Sequence, residues 1–154
     1  MIVAVIDTNV WVSAFLNPAG FPARLIQSGK AGKFLIVSSL PLLDELHEVL
    51  LRPRLMKIRP VTAQDVDAFV ASAGAVVRLV LVSGDFRLCR DPDDDVVLET
   101  AIRGGATHLI SRDEDVTRDL DLTEQLRTRG VQTITVQRLI DLLRSEAGEA
   151  EQDV

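Results

Sequence analysis

Four carboxylates stand in four separate segments of the chain: Asp7, Glu45, Asp95 and Asp113. Asp7 directly follows the apolar run IVAVI at residues 2–6, and Asp113 follows HLIS (108–111) with only Arg112 between. Glu45 lies one turn into a helical pattern after FLIVS (34–38), and Asp95 lies near the start of DPDDDVVLETAIRGG (91–105). Carboxylates gathered at one place repel and raise each other's pKa. A hard divalent cation relieves this: Mg²⁺ takes one or two carboxylates plus waters and phosphate oxygens, and Mn²⁺ uses similar ligands. There is no His/Cys cluster for zinc, no GxxxxGK[ST] loop, no GxGxxG and no GxSxG elbow. An all-carboxylate set without a nucleophile motif points to metal-activated attack of water on phosphate.

The acids converge only if the segments before them are neighbouring strands. Residues 2–6 read as a fully buried strand, because polar and apolar residues do not alternate. Helices are expected at 9–16 and 22–30, divided by NPAG, and a second buried strand at 34–38. Ser38 or Ser39 caps a helix over 41–51 with Pro41 in its first turn. Thr62, with Asp65 three residues on, opens a helix over 62–73; AVVRLV (75–80) is a third strand. The acid-rich start and Gly stop of 91–105 mark another helix. Strands at 108–111 and 131–136 and a helix at 136–145 complete the pattern. Strands separated by helices imply crossovers and a parallel sheet covered on both faces. The expected fold is α/β: a three-layer α/β/α domain over 1–145 with a central sheet of four to five strands, then an acidic, flexible tail over 146–154. In such sheets the site lies beyond the carboxyl ends of the strands, the edge from which all four acids start.

Composition narrows the class. A chain of 154 residues, just under half apolar, suits one domain. No apolar run reaches membrane-spanning length, and the short first run has no basic region before it, so neither membrane span nor signal peptide is expected. The lone Cys89 fits a reducing cytoplasm and reads as inert. The net charge of −6 opposes nucleic-acid binding in general, but it is unevenly spread. Glu146, Glu149, Glu151 and Asp153 crowd the tail, whereas LRPRLMKIRP (51–60) carries Arg52, Arg54, Lys57 and Arg59. A nearly neutral body with a basic stretch is compatible with RNA.

Each residue also has a plainer reading. Asp7 suits a helix N-cap, Glu45 a solvated helix face, and Asp91, Asp93, Asp94 and Asp95 a match to the helix dipole. His47 and His108 read as structural, Trp11 as packing or interface, and the 52–59 cations as a solvated face.

The stretches VIDTNVWVSAF (5–15), SSLPLLDELHEVL (38–50) and RDPDDDVVLETAIRGGATHLISRDEDV (90–116) together resemble the PIN-domain nucleases, and more narrowly the VapC-like toxins of toxin–antitoxin loci. The resemblance spans about residues 2 to 136. It implies that the family acids fall on Asp7, Glu45, Asp95 and Asp113 as the catalytic set, with Asp7, Asp95 and Asp113 holding the metal. It selects Glu45 over the adjacent Asp44. Thr8 becomes a hydroxyl that orients Asp7 or a water beside the metal, and Asn9 follows it as in the family. Ser111-Arg112-Asp113 replaces the family's common Thr-x-Asp and keeps the hydroxyl; Val116 replaces a frequent aromatic. Asp115 supports through water, and Asp91 or Asp94 can assist. Arg112 is the foremost candidate for phosphate contact, with Arg52 and Arg54 behind it.

The resemblance implies a Mg²⁺- or Mn²⁺-dependent endoribonuclease, a toxin restrained by a small antitoxin protein, with a homodimer as a further partner state. Three other readings stay open. An aspartyl phosphatase would use Asp7 as nucleophile, but D-x-D is expected there and Asp7-Thr8-Asn9 stands instead. A receiver-like signalling module would want a Lys after the last strand, and VQTITVQ has none. The third is a catalytically inactive PIN binding module.

Overall fold

A computed structural model describes residues 1–112 and 120–152, with side chains through 148. Five strands form one parallel sheet: β1 (Val3–Ile6), β2 (Leu35–Ser38), β3 (Arg78–Leu79), β4 (His108–Ser111) and β5 (Gln132–Thr135), in the order β3-β2-β1-β4-β5. This is the three-layer α/β/α architecture expected. β1 is central, pairing with β2 through Val3↔Leu35 to Val5↔Val37 and with β4 through Ala4↔His108 to Ile6↔Ile110.

The sequence of β1 explains its place. Side chains alternate across a strand, and both faces of VAVI are apolar. Ala4 and Ile6, with Ile36, Ile110 and Ile134, join a core built from α1 (Thr8–Leu16), α2 (Phe21–Lys30), α3 (Leu40–Leu50), α5 (Ala63–Val76) and α8 (Val136–Gln152). Val5, with Val37 and Leu109, joins the opposite core under α6 (Pro92–Arg103) and α7 (Leu120–Arg127). Only a strand covered on both sides can lack a polar face.

Several elements differ from expectation. The strand expected over 75–80 shrinks to Arg78–Leu79, because α5 continues to Val76. A capping box starts α5: Thr62 Oγ1 accepts from Asp65 N and an Asp65 oxygen accepts from Thr62 N. The alanine-rich run behind it then propagates the helix. α4 (Pro53–Ile58) and α7 were not expected. α4 buries no residue fully and starts on Pro53, so it carries almost no apolar period; α7 buries only Leu122 and Leu126, four apart. α8 continues to Gln152, where a helix ending near 145 was expected.

Two hydroxyls lock α3 to α6. Thr100 Oγ1 donates to Val96 O at 2.8 Å, so in its 2.8 Å contact with Ser39 the serine is the donor. Leu98 is fully buried one turn before the end of this helix. Leu98→Ala is expected to cost about 2–5 kcal/mol of unfolding free energy through transfer and cavity terms. Leu98→Met keeps the volume and should cost less than about 1.5 kcal/mol. Urea titrations of the two variants check the difference.

Candidate active site

The order β3-β2-β1-β4-β5 reverses its winding between β1 and β4. Ligands of open α/β sheets bind outside the carboxyl ends at such a switch point. Asp7 follows β1 there. Its backbone N–H donates to Ile110 O at 3.0 Å, extending the β1–β4 ladder by one residue, and its carbonyl accepts from Val10 and Trp11. Asp7 therefore occupies the N-cap position of α1, yet its side chain makes no capping hydrogen bond. The carboxylate therefore does not cap the helix, and main-chain bonds hold the residue in place. Asp91 behaves in the opposite way. Its Oδ1 accepts from Asp93 N at 2.9 Å and caps α6.

Glu45 comes from the second turn of α3. Thr8 Oγ1 donates to Glu45 Oε2 at 3.3 Å, tying the first residue of α1 to α3 across the sheet edge. Asp7, Thr8 and Glu45 thus meet at one place. A cavity of about 450 Å³ adjoins it, lined by Asp44, Glu45, Glu48 and Arg52 on one side and Asp93 and Val96 on the other. The start of α6 therefore faces α3, as the topology required.

Within the α6 acids the structure draws distinctions that the sequence does not. Asp94 and Asp95 are 9% and 5% exposed. Asp95 Oδ1 accepts from Leu88 N at 2.9 Å and Cys89 N at 2.7 Å, so one of its two oxygens is committed to the preceding loop. Asp113 and Asp115 lie outside the described residues. Ser111 is buried at the end of β4, and Arg112 is exposed beside it. Asn9 is exposed at the mouth of a groove that also contains Arg52, Arg54 and Arg112. Among the described residues no three His, Cys, Asp or Glu side chains gather closely enough to hold a metal ion by themselves. The donors present at the edge are all oxygens, which suits a hard cation.

The sequence reading passed over Glu99. It is 1% exposed and accepts from Ser83 N (2.7 Å), Ser83 Oγ (3.0 Å), Gly84 N (3.0 Å) and Arg103 Nε (2.5 Å). Asp121 Oδ2 accepts from Arg90 N at 2.9 Å. Three carboxylates therefore pin the loop 83–90. A Glu four residues before an Arg on a helix was the available signal, but it does not reveal the loop. Cys89 lies in the same place, and burial with Asp95, Asp121 and Asp94 around it pushes its thiol up to about 12. It stays protonated, in keeping with an inert role. His108 is pushed below its usual range by burial, and His47 bonds Asp67 at 2.6 Å between α3 and α5. Trp11 packs edge-on against Phe69 inside the core.

A family model described as "PIN domain" matches residues 3–115. The chain belongs to the PIN-domain family. Its sequence is also similar to "Uncharacterized protein MJ1680" of Methanocaldococcus jannaschii, 28% identical over 127 residues, which cover 82% of this chain and 81% of that protein. PIN domains are generally nucleases, so the activity class of this one is nuclease, and PIN domains typically use divalent metal ions. No helix among the described residues is long and apolar enough to cross a membrane.

Glu99 makes acid stability a readout of the pinned loop. Burial pushes its carboxyl up, but the Ser83 amide, Arg103, the Gly84 amide and the Ser83 hydroxyl outweigh burial and hold it down at about 2, against an ordinary 4.5. A group depressed in the folded state stabilises fully above its unfolded pKa and loses that contribution as pH falls through the folded value. Stability should therefore decline between about pH 4.5 and 2. Glu99→Gln should be less stable than the parent at neutral pH and show a flatter decline across that window. Urea midpoints measured against pH test this, and parallel curves for the two proteins would count against it.

Proposed function

We propose that this PIN domain is a divalent-metal-dependent endoribonuclease that hydrolyses RNA phosphodiesters and acts as the toxin of a type II toxin–antitoxin pair. The observation that carries the nuclease half is the Asp7 carboxylate at the switch point. It is withheld from capping its own helix while Thr8 ties Glu45 beside it. Asp7, Asp95 and Asp113 are the proposed metal ligands, with Glu45 completing the catalytic set; Asn9, Ser111 and Asp115 support them. Mg²⁺ or Mn²⁺, when bound, polarises the phosphate and lowers the pKa of water. The chain's own residues do the rest. Thr8 holds one Glu45 oxygen in place, and Glu45 takes the proton of the attacking water. Arg112 offers a guanidinium to the phosphate. The toxin half rests on the resemblance to VapC-like proteins, with a small antitoxin as partner and the cytoplasm as compartment. The same resemblance supports a homodimer.

Purified protein incubated with total RNA should cut it in Mg²⁺ or Mn²⁺ and stop in EDTA. Asp7→Asn, Asp95→Asn and Asp113→Asn should each abolish cutting while the fold persists. The Asp95 variant is informative because Asn keeps an oxygen for the Leu88 and Cys89 amides, so lost activity there reports a lost charge and not a lost loop. Deleting 146–154 should leave cutting intact. Metal should raise the melting temperature, because mass action stabilises the folded protein by about 2.7 kcal/mol at a hundredfold excess over Kd. That gain should shrink as acid protonates the ligands. Parental cutting rates in all three Asn variants, or a melting curve indifferent to Mn²⁺, would overturn the site.

The toxin half has its own test. Expression alone should arrest growth, and co-expression of the neighbouring small gene should restore it. Asp7→Asn should be harmless yet still co-purify with that partner. A parental protein that cuts RNA in the tube but leaves growth untouched removes the toxin role and keeps the ribonuclease.

A further inference from the structure

A groove of about 660 Å³ runs from the Asp7 edge between α1 and α4. Its lining divides by chemistry. Arg52, Arg54 and Arg112 supply the charge, and among the described residues no acidic side chain lines it. Asn9 and Ser13 of α1 and Asn17 at its C-cap, four residues apart, form a polar stripe. Val12 and Leu16 of the same helix face Val49, Leu55 and Ile58 as an apolar floor. Arg54 and Arg112 make no ion pair among the described residues, and Arg52 holds Glu48 only in an exposed pair at 3.5 Å. Such a pair is worth little and is readily exchanged. Three cations in one concavity are notable in a chain of net charge −6.

The other flank of the same edge is different. Beyond Arg52 the cavity between α3 and α6 carries Asp44, Glu45, Glu48 and Asp93. A phosphate backbone crossing the edge meets guanidinium groups on one side and carboxylates on the other.

Resting on the nuclease reading above, we propose that the α1–α4 groove grips single-stranded RNA by nucleotides lying to one side only of the scissile phosphate. The arginines take phosphates and the apolar floor takes an unstacked base. A duplex cannot supply this combination, because its bases are already paired and stacked while its phosphates face outward. The Asn9–Ser13–Asn17 stripe offers donors and acceptors to a 2′-hydroxyl, the group that separates RNA from DNA. On the far flank the acids repel the strand, so nucleotides there add little grip.

Binding is measured by fluorescence anisotropy on the full-length Asp7→Asn protein in EDTA, where nothing is cut. The probes are a dye-labelled single-stranded RNA of about a dozen nucleotides, its duplex, and the same sequence as single-stranded DNA. The single-stranded RNA should bind most tightly. Arg52→Ala, Arg54→Ala and Arg112→Ala should each weaken it and reduce the salt slope of log K by about 0.7, the increment for one phosphate contact on a single strand. Arg129→Ala, at the opposite edge of the sheet, should change neither. With the parental protein, trimming a cleavable RNA from one end should raise KM strongly and trimming the other end should not. Equal binding of strand and duplex, or equal losses from trimming either end, overturns the proposal. So does RNA binding indifferent to the three arginines, which leaves the groove to a protein helix. Arginine-dependent binding by a parental protein that cuts nothing overturns the nuclease reading and keeps the single-strand site.

Discussion

A strand hydrogen-bonded on both sides and covered on both faces cannot shift without breaking two ladders, and β1 is that strand. Its pairing with β2 and β4 sets the level at which each neighbour ends. The bond from Asp7 N to Ile110 O carries the constraint one residue past the strand. The first polar residue after the apolar run of β1 is thereby held at the switch point by main-chain bonds. The side chain makes no capping bond to α1, so the main-chain bonds set where the residue stands. The same register places Ser39 and α3 on one side of Asp7 and Ser111–Arg112 on the other.

Gathering acids at this edge creates an electrostatic problem that the protein handles in two ways. Some carboxylates are met by backbone amides: Glu99 by Ser83 and Gly84, Asp95 by Leu88 and Cys89, Asp121 by Arg90. Amide dipoles stabilise the ionised form, and at Glu99 Arg103 adds its charge to theirs. The loop 83–90 is thus a network of donors folded over the start of α6. Other acids, Asp44, Glu45, Glu48 and Asp93, line an open cavity where solvent or a hard cation can screen them. Arg103, stacked over the Phe86 ring at 5.8 Å while donating to Glu99, closes the pinned loop from outside.

The resulting field is asymmetric. Acids lie between α3 and α6, arginines lie between α1 and α4, and Arg52 belongs to both linings. The short helix α4 makes the difference, because it presents Arg54 toward the groove while Leu55 contributes apolar lining to the same groove. Arg59, just after it, donates to the Phe15 carbonyl and covers the Phe15 ring at 4.8 Å, fastening the end of α4 to α1. Among the described residues, a chain of net charge −6 thus lines one cavity of this edge mainly with acids and the other with arginines.

Read alone, the sequence determined the fold class, because apolar runs such as IVAVI and FLIVS can be satisfied only inside a doubly covered parallel sheet. It also determined that Asp7 and Asp113 follow strands and that Glu45 and Asp95 belong to helices starting from the same edge, since crossover topology fixes those ends. α4 and α7 escaped it because one has almost no apolar period and the other buries only a single Leu122–Leu126 pair. Short elements take their stability from contacts made after folding. Nor can spacing separate Asp91, Asp93, Asp94 and Asp95, which follow one another within a single helical turn. Tertiary structure alone decided that Asp93 faces a cavity and Asp95 commits an oxygen to a loop. Glu99 was assigned nothing by the sequence, and its role depends on amides sixteen and fifteen residues away. The physical reason is common to these cases: a side chain's type and helical position are local, but the donors that claim its oxygens arrive with the fold.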